Sequence, residues 1–201
     1  MMILIGAYTW LVIYLEYEWW HWQNDPFVKN LTSVQTLLGF VLSLLLVFRT
    51  NTAYDRWWEG RKLWGALTNN TRTLSIKLNA ILDKQDVANR KYFSKGIALY
   101  AHSLKQHLRS AEMELELDED FHSVDTQHHI PNQVSSLLTQ KIYQLEREGV
   151  MSAHQLLSVQ NEISEFQNIC GGCERIRNTP IPFSYNVFVK KFIFFYVMTL
   201  P

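Results

Sequence analysis

The feature that most constrains this chain is an uncharged apolar run over residues 31–48 (LTSVQTLLGFVLSLLLVF), with no ionised side chain in eighteen positions. About 20 such residues let a helix cross the roughly 30 Å of hydrocarbon in a bilayer. A second apolar run covers residues 1–20 and ends in the tyrosine and tryptophan side chains typical of a membrane–water interface. A third begins at Phe183 and continues to Pro201. The sequence therefore predicts an all-α membrane protein.

The charges divide the chain into three predicted parts. Of the 38 charged side chains, 32 lie between residues 49 and 177. The formal net charge of zero therefore hides two nearly uncharged ends and a middle segment rich in charge. We predict a transmembrane helical hairpin over 1–48, a cytosolic helical region over 49–180, and the start of a third transmembrane helix over 181–201, which we expect to be truncated. The absence of a basic excess argues against nucleic acid as a partner.

The orientation follows from the charges that flank the apolar run over residues 31–48. Residues 49–77 hold six basic and two acidic side chains, whereas residues 16–29 hold three acids and one base. Basic loops stay in the cytoplasm. We therefore expect a multi-pass membrane protein with residues 49–180 cytoplasmic.

The middle of the chain has the apolar spacing of amphipathic helices over residues 91–108 and 137–147. Ser152 is predicted to cap a further helix that runs to about Ile169 and ends at Gly171–Gly172. No alternating pattern is long enough to predict a β-sheet.

When the apolar run over residues 31–48 is wound as a helix, its side chains form two neighbouring rows. Thr36, Gly39 and Ser43 lie on one narrow stripe, which suits either close helix packing or a pore wall. Larger apolar side chains recur beside it at i, i+4 and i+8, at positions 40, 44 and 48. Spacing alone leaves pore lining and ordinary lipid or core contact both open for this second row.

Candidate reactive residues form no catalytic set, so we expect a protein that is not an enzyme and binds no cofactor or metal. The Cys170–Cys173 pair lacks the second pair that a zinc site needs, and two ordinary thiols are expected. The acidic run 112–120 is interpreted as a solvated helix end or a cation-attracting rim. Two alternatives stay open: a membrane enzyme with His122, His128 and His129 as metal ligands, and a membrane-anchored interaction or sensor protein.

Two segments together resemble the bacterial branch of the bestrophin family. They are FVLSLLLVFRTNTAYDRWWEGRKLWGAL (40–67) and GGCERIRNTPIPFSYNVFVKKFIFFYVMTLP (171–201). The specific motif residues are Arg56, Trp57, Trp58, Pro180 and Pro182. The resemblance implies an all-α, pentameric ion-channel subunit around one central pore. Its implied partners are four further copies of itself, the lipid bilayer and small monovalent ions: chloride in the animal branch, with cations open in the bacterial branch.

The resemblance also implies roles for particular residues. The family's hydrophobic pore neck falls on Phe40, Leu44 and Phe48, and its cytosolic constriction falls on His154, with Leu157 as the alternative. An uncharged neck would leave ion selectivity to the pore mouths. There Arg49 and Arg56 would favour anions, while the acidic run would favour cations.

Overall fold

The computed structural model describes residues 2–20, 26–109, 119–126 and 128–200, and no strand occurs in those ranges. The α-helices are α1 (Met2–Leu15), α2 (Pro26–Ile81), α3 (Val87–Arg109), α4 (Ile130–Arg147), α5 (Ala153–Asn178) and α6 (Phe183–Met198). A π-helical turn (Glu16–Trp20) follows α1, and a 3₁₀ turn (Glu119–Phe121) precedes α4. The predicted all-α architecture is observed.

The chain forms two compact units. The first comprises Met1–Asp55 with Ile181–Pro201, and the second comprises Arg56–Pro180. Helix α2 contributes residues to both units, and the predicted boundary after residue 48 falls inside the first of them.

The first unit contains the apolar segment of α2. Among the described residues, one stretch (Thr32–Ile81) is long and apolar enough to cross a membrane, with a mean hydropathy of 1.6 in its most apolar window. Helix α6 packs against α2 at Gly39, where an added Cβ would lie 3.0 Å from the Tyr196 hydroxyl oxygen. The Tyr185 hydroxyl donates a hydrogen bond to the Leu45 carbonyl at 3.1 Å. The small residue at position 39 therefore permits a close helix approach.

The second unit is held by an apolar core shared among α2, α3, α4 and α5. Each helix presents its buried side chains at helical spacing, as the sequence patterns over 91–108 and 137–147 predict. The core includes Leu74, Phe93, Tyr100, Leu104, Phe121, Val134, Leu138, Ile142, Leu145 and Phe166.

Both ends of α5 can be explained locally. Ser152 caps its N-terminus in a reciprocal capping box with Gln155, as predicted. The predicted end at Gly171–Gly172 is wrong, because α5 continues to Asn178. Gly172 lies against Leu63 of α2, so packing offsets the weak helix propensity of glycine. The helix ends just before Pro180, since a proline disfavours helical backbone in the residue preceding it.

Candidate functional site

The row predicted to form a pore neck lies on the apolar segment of α2. Phe40, Leu44 and Phe48 are 67%, 45% and 55% exposed in the single chain. Their spacing of four residues places them in one row, about 40° apart around the helix. Neighbouring Gly39 is the residue that faces Tyr196 of α6. The row is thus a surface that the rest of the first unit leaves uncovered.

Arg56 of the motif binds the C-terminus of α5 within the second unit. Its guanidinium donates hydrogen bonds to the carbonyl oxygens of Ile176, at 2.6 Å, and of Thr179. The last carbonyls of a helix have no partner inside it and carry partial negative charge, so a cation is favoured there. Arg56, which is expected to favour anions at a pore mouth, uses two of its guanidinium nitrogens to bind the end of α5.

Further contacts align α2 with α5 along the second unit. Glu59 pairs with Arg175 at 2.5 Å, and Lys77 pairs with Glu162 at 2.7 Å. Asn70 donates a hydrogen bond to the Glu162 carbonyl oxygen at 2.6 Å. Arg56 is therefore the end of a polar series that fixes the register of these two helices.

Replacing Arg56 with methionine should lower the free energy of unfolding by about 1–3 kcal/mol, because helix carbonyls lose a charged donor while the apolar stem is kept. The measurement is urea unfolding of the detergent-solubilised protein followed by circular dichroism. The matched control is Arg61→Met at an exposed position of the same helix. Equal losses in the two variants would contradict the anchoring role.

The other motif residues lie directly after Arg56 in α2 and in the segment between α5 and α6. Trp57 and Trp58 are both exposed, and their ring centroids lie 6.1 Å apart. Pro180 follows the C-cap of α5, and Pro182 is the N-cap of α6. The two prolines therefore separate two helices, which is the arrangement that their fixed φ angles favour.

The residues predicted for a cytosolic constriction lie near the start of α5. His154 is exposed, and Leu157 is 59% exposed. They are three residues apart and so share one face of the helix. The acidic run 112–120 falls mostly outside the described residues, and its predicted role as a cation-attracting rim stays a prediction.

A cluster of ionisable groups joins three helices of the second unit. His107 of α3 and His129, the N-cap of α4, each place Nε2 beside the same Oε1 atom of Glu174 of α5, at 2.8 and 2.7 Å. The two imidazole centroids lie 4.3 Å apart. The histidine hydrogen bonds outweigh partial desolvation and hold the pKa of the Glu174 carboxyl below its usual range.

The proposed alternative ligand set His122, His128 and His129 is not brought together as one group. His128 is exposed and pairs with Asp125 at 2.6 Å, whereas His129 faces Glu174. His122 is exposed. Sequence reasoning missed His107 and Glu174, since no local spacing links residues on three separate helices.

The two cysteines are buried on the last half of α5 and form no disulfide. Burial is the main cause that raises the pKa of the Cys170 thiol to about 12 and also raises that of Cys173. Such thiols stay protonated near neutral pH and are poor nucleophiles. The expectation of two ordinary thiols is consistent with this environment.

An apolar helix long enough to span a bilayer, joined to a unit of helices around a buried core, defines an all-helical membrane protein. The sequence model described as "Bacterial/Fungal Bestrophin protein" matches residues 1–201. The chain belongs to this bacterial and fungal bestrophin family, and the resemblance found in the sequence is confirmed.

Curated relatives and solved structures agree with the family. A voltage-dependent anion channel-forming protein of Ralstonia nicotianae is 31% identical over 90% of this chain and 61% of its own length. One of a Nostoc species is 33% identical over 83% of this chain and 59% of its own. The chain thus spans about three fifths of these relatives.

The fold is also that of known bestrophin structures. A crystal structure of a bacterial bestrophin homologue from Klebsiella pneumoniae, carrying a single leucine-to-threonine mutation, has a TM-score of 0.83 at 25% identity and covers 99% of this chain and 74% of that one. A form of the Klebsiella homologue with an aspartate-to-alanine mutation gives a TM-score of 0.80 at 26% identity, covering 100% and 77%.

Proposed function

We propose that this chain belongs to the pore-forming subunit of a homopentameric channel, with the row Phe40, Leu44 and Phe48 as its hydrophobic neck. The observation that carries the proposal is this row. It presents large apolar side chains outward at one-turn spacing from the bilayer-spanning part of α2. Five copies around an axis would stack three apolar rings, and an apolar constriction can gate ion flow by dewetting.

The family and the names of the relatives support a channel rather than an enzyme. Both curated relatives described above are named as voltage-dependent anion channel-forming proteins. Small monovalent anions are accordingly our first candidates for the conducted ions. An uncharged neck does not itself select the sign of charge, so selectivity would arise from charged groups near the pore mouths.

Arg49 is our candidate for the selectivity group at the cytoplasmic end of the neck. It follows Phe48 directly in α2. Arg56 is less suited, because its guanidinium binds the carbonyls that end α5. His154 or Leu157, which share one face near the start of α5, would form a second constriction.

The proposed orientation in the membrane rests on the basic residues that follow the apolar segment of α2. We propose that the protein is a multi-pass component of the bacterial inner membrane and that residues 49–180 face the cytoplasm. The basic excess over residues 49–77 supports this orientation through the positive-inside rule.

Substituting alanine at Phe40, Leu44 and Phe48 together should raise ion flux severalfold, since wider and less apolar rings hold water more readily. The measurement is flux from liposomes that contain the purified protein, with the reversal potential in a salt gradient giving the sign of the permeant ion. A detergent-solubilised pentamer is expected by mass measurement.

The matched control is Leu46→Ala, which removes an exposed apolar side chain from the opposite face of the same helix. Its flux should equal that of the unmodified protein. Unchanged flux in the triple variant would refute the neck assignment, and a monomer or dimer in detergent would count against the channel itself.

A further inference from the structure

We propose that His107, His129 and Glu174 form a binding site for a divalent transition cation of the zinc type that joins α3, α4 and α5. The inference concerns only the second unit and does not depend on the proposed channel. It replaces the expectation from sequence that the chain binds no metal.

The first support is convergence of the ligand atoms. One ligand atom from each of the three residues lies within 4.8 Å of the other two. The two histidine Nε2 atoms are already 2.8 and 2.7 Å from Glu174 Oε1. In tetrahedral zinc sites, bonds of about 2.0–2.2 Å place ligand atoms roughly 3.3 Å apart. An opening of about half an ångström would therefore admit the ion.

The second support is the chemistry of the donors. Two imidazole nitrogens and one carboxylate oxygen suit zinc and neighbouring transition ions, whereas Mg²⁺ and Ca²⁺ prefer oxygen ligands alone. Two histidines and a glutamate leave a fourth tetrahedral position for water. The three side chains are only partly buried, so an ion can enter from solvent.

Binding of a metal ion would cost the capping hydrogen bond of His129. Its Nδ1 accepts a hydrogen bond from the Asn132 backbone N–H at 3.2 Å, so the proton of the neutral ring lies on Nε2. A cation at Nε2 displaces that proton, and the neutral ring must then carry it on Nδ1, which ends the capping bond. The loss of one N-cap hydrogen bond is a small cost compared with the free energy that binding of a structural zinc ion provides.

The consequence is a stability of the second unit that depends on the cation. The three ligands come from separate helices, so an ion bound only by the folded state would stabilise their packing. Imidazoles contribute as neutral ligands, so the carboxylate of Glu174 would supply the protein's one negative charge to the ion.

The experiment uses the whole protein, purified without a polyhistidine tag and treated with a chelator. Zinc chloride is then added while thermal unfolding and bound metal are measured, with magnesium chloride as the comparison salt. We expect one zinc per chain and a rise in Tm of roughly 5–10 °C at about 100 times Kd. Magnesium should give neither effect.

The variants separate this site from ordinary surface histidines. Glu174→Gln keeps the side-chain shape but removes the anionic ligand, and His107→Ala removes one imidazole; both should lose the zinc-dependent rise. His128→Ala, at an exposed histidine next to the site, should retain it. If Glu174→Gln or His107→Ala does not fold, cobalt(II) added to the unmodified protein should give the intense visible bands of tetrahedral coordination. The proposal is overturned by the absence of a zinc effect, by an equal effect in Glu174→Gln, or by weak octahedral cobalt bands.

Discussion

Replacing Phe166 with alanine is expected to lower the free energy of unfolding of the second unit by about 3–5 kcal/mol. Phe166 is completely buried, and its ring stacks on Tyr100 with centroids 4.3 Å apart. The Tyr100 hydroxyl also donates a hydrogen bond to the Phe166 carbonyl at 2.5 Å. The substitution would therefore leave a cavity where α3 meets α5. Urea unfolding of the detergent-solubilised protein measures the loss.

The matched control for this prediction is Gln167→Ala, one residue further along the same helix but exposed. Surface substitutions of this kind usually change stability by less than about 0.5 kcal/mol. If the two variants unfolded at the same urea concentration, the position of Phe166 in the core would be wrong.

Replacing Gly96 with valine should destabilise the second unit by about 3 kcal/mol, at the upper end of the usual cost of overpacking a core. An added Cβ would lie 2.6 Å from Leu138 Cδ2 and 3.0 Å from Phe121 Cζ. Leu138 and Phe121 are themselves buried, so neither has room to move away. Thermal unfolding monitored by circular dichroism in the far ultraviolet is the measurement, with a lower Tm as the expected result.

Gly171→Ala provides the opposite case within α5. No atom outside the local backbone lies within 4 Å of an added Cβ at this position. Alanine should therefore stabilise the helix by up to about 1 kcal/mol through its better propensity. Destabilisation by both glycine substitutions would show that something other than packing space governs these sites.

The helices of the second unit were largely predictable because each buries one face, and burial leaves a periodic trace in the sequence. The apolar spacing over 91–108 and 137–147 predicts α3 and most of α4. The hydroxyl of Ser152 marked the start of α5 because an N-cap is a local interaction. The apolar run over 31–48 likewise lies almost wholly within the one described stretch that is long and apolar enough to span a bilayer.

What the sequence did not reveal depends on contacts between distant segments. The length of α5 was underestimated because the Gly171–Gly172 pair is typical of a helix end, and only Leu63 on another helix explains Gly172. The site formed by His107, His129 and Glu174 has no local spacing at all. Arg56 stands out as a motif residue, but its binding to carbonyls 120 and more positions away is a property of the fold.

The close approach of Gly172 to Leu63 makes these two positions share one volume. Their side chains belong to helices that meet within the second unit, and an added Cβ at 172 would lie 2.9 Å from Leu63 Cδ2. A relative with a residue larger than glycine at position 172 would need a residue smaller than leucine at position 63 to keep the same spacing between the helix axes. The two positions are thus expected to change together among bestrophins of this branch, so that the identity of one residue informs the size of the other.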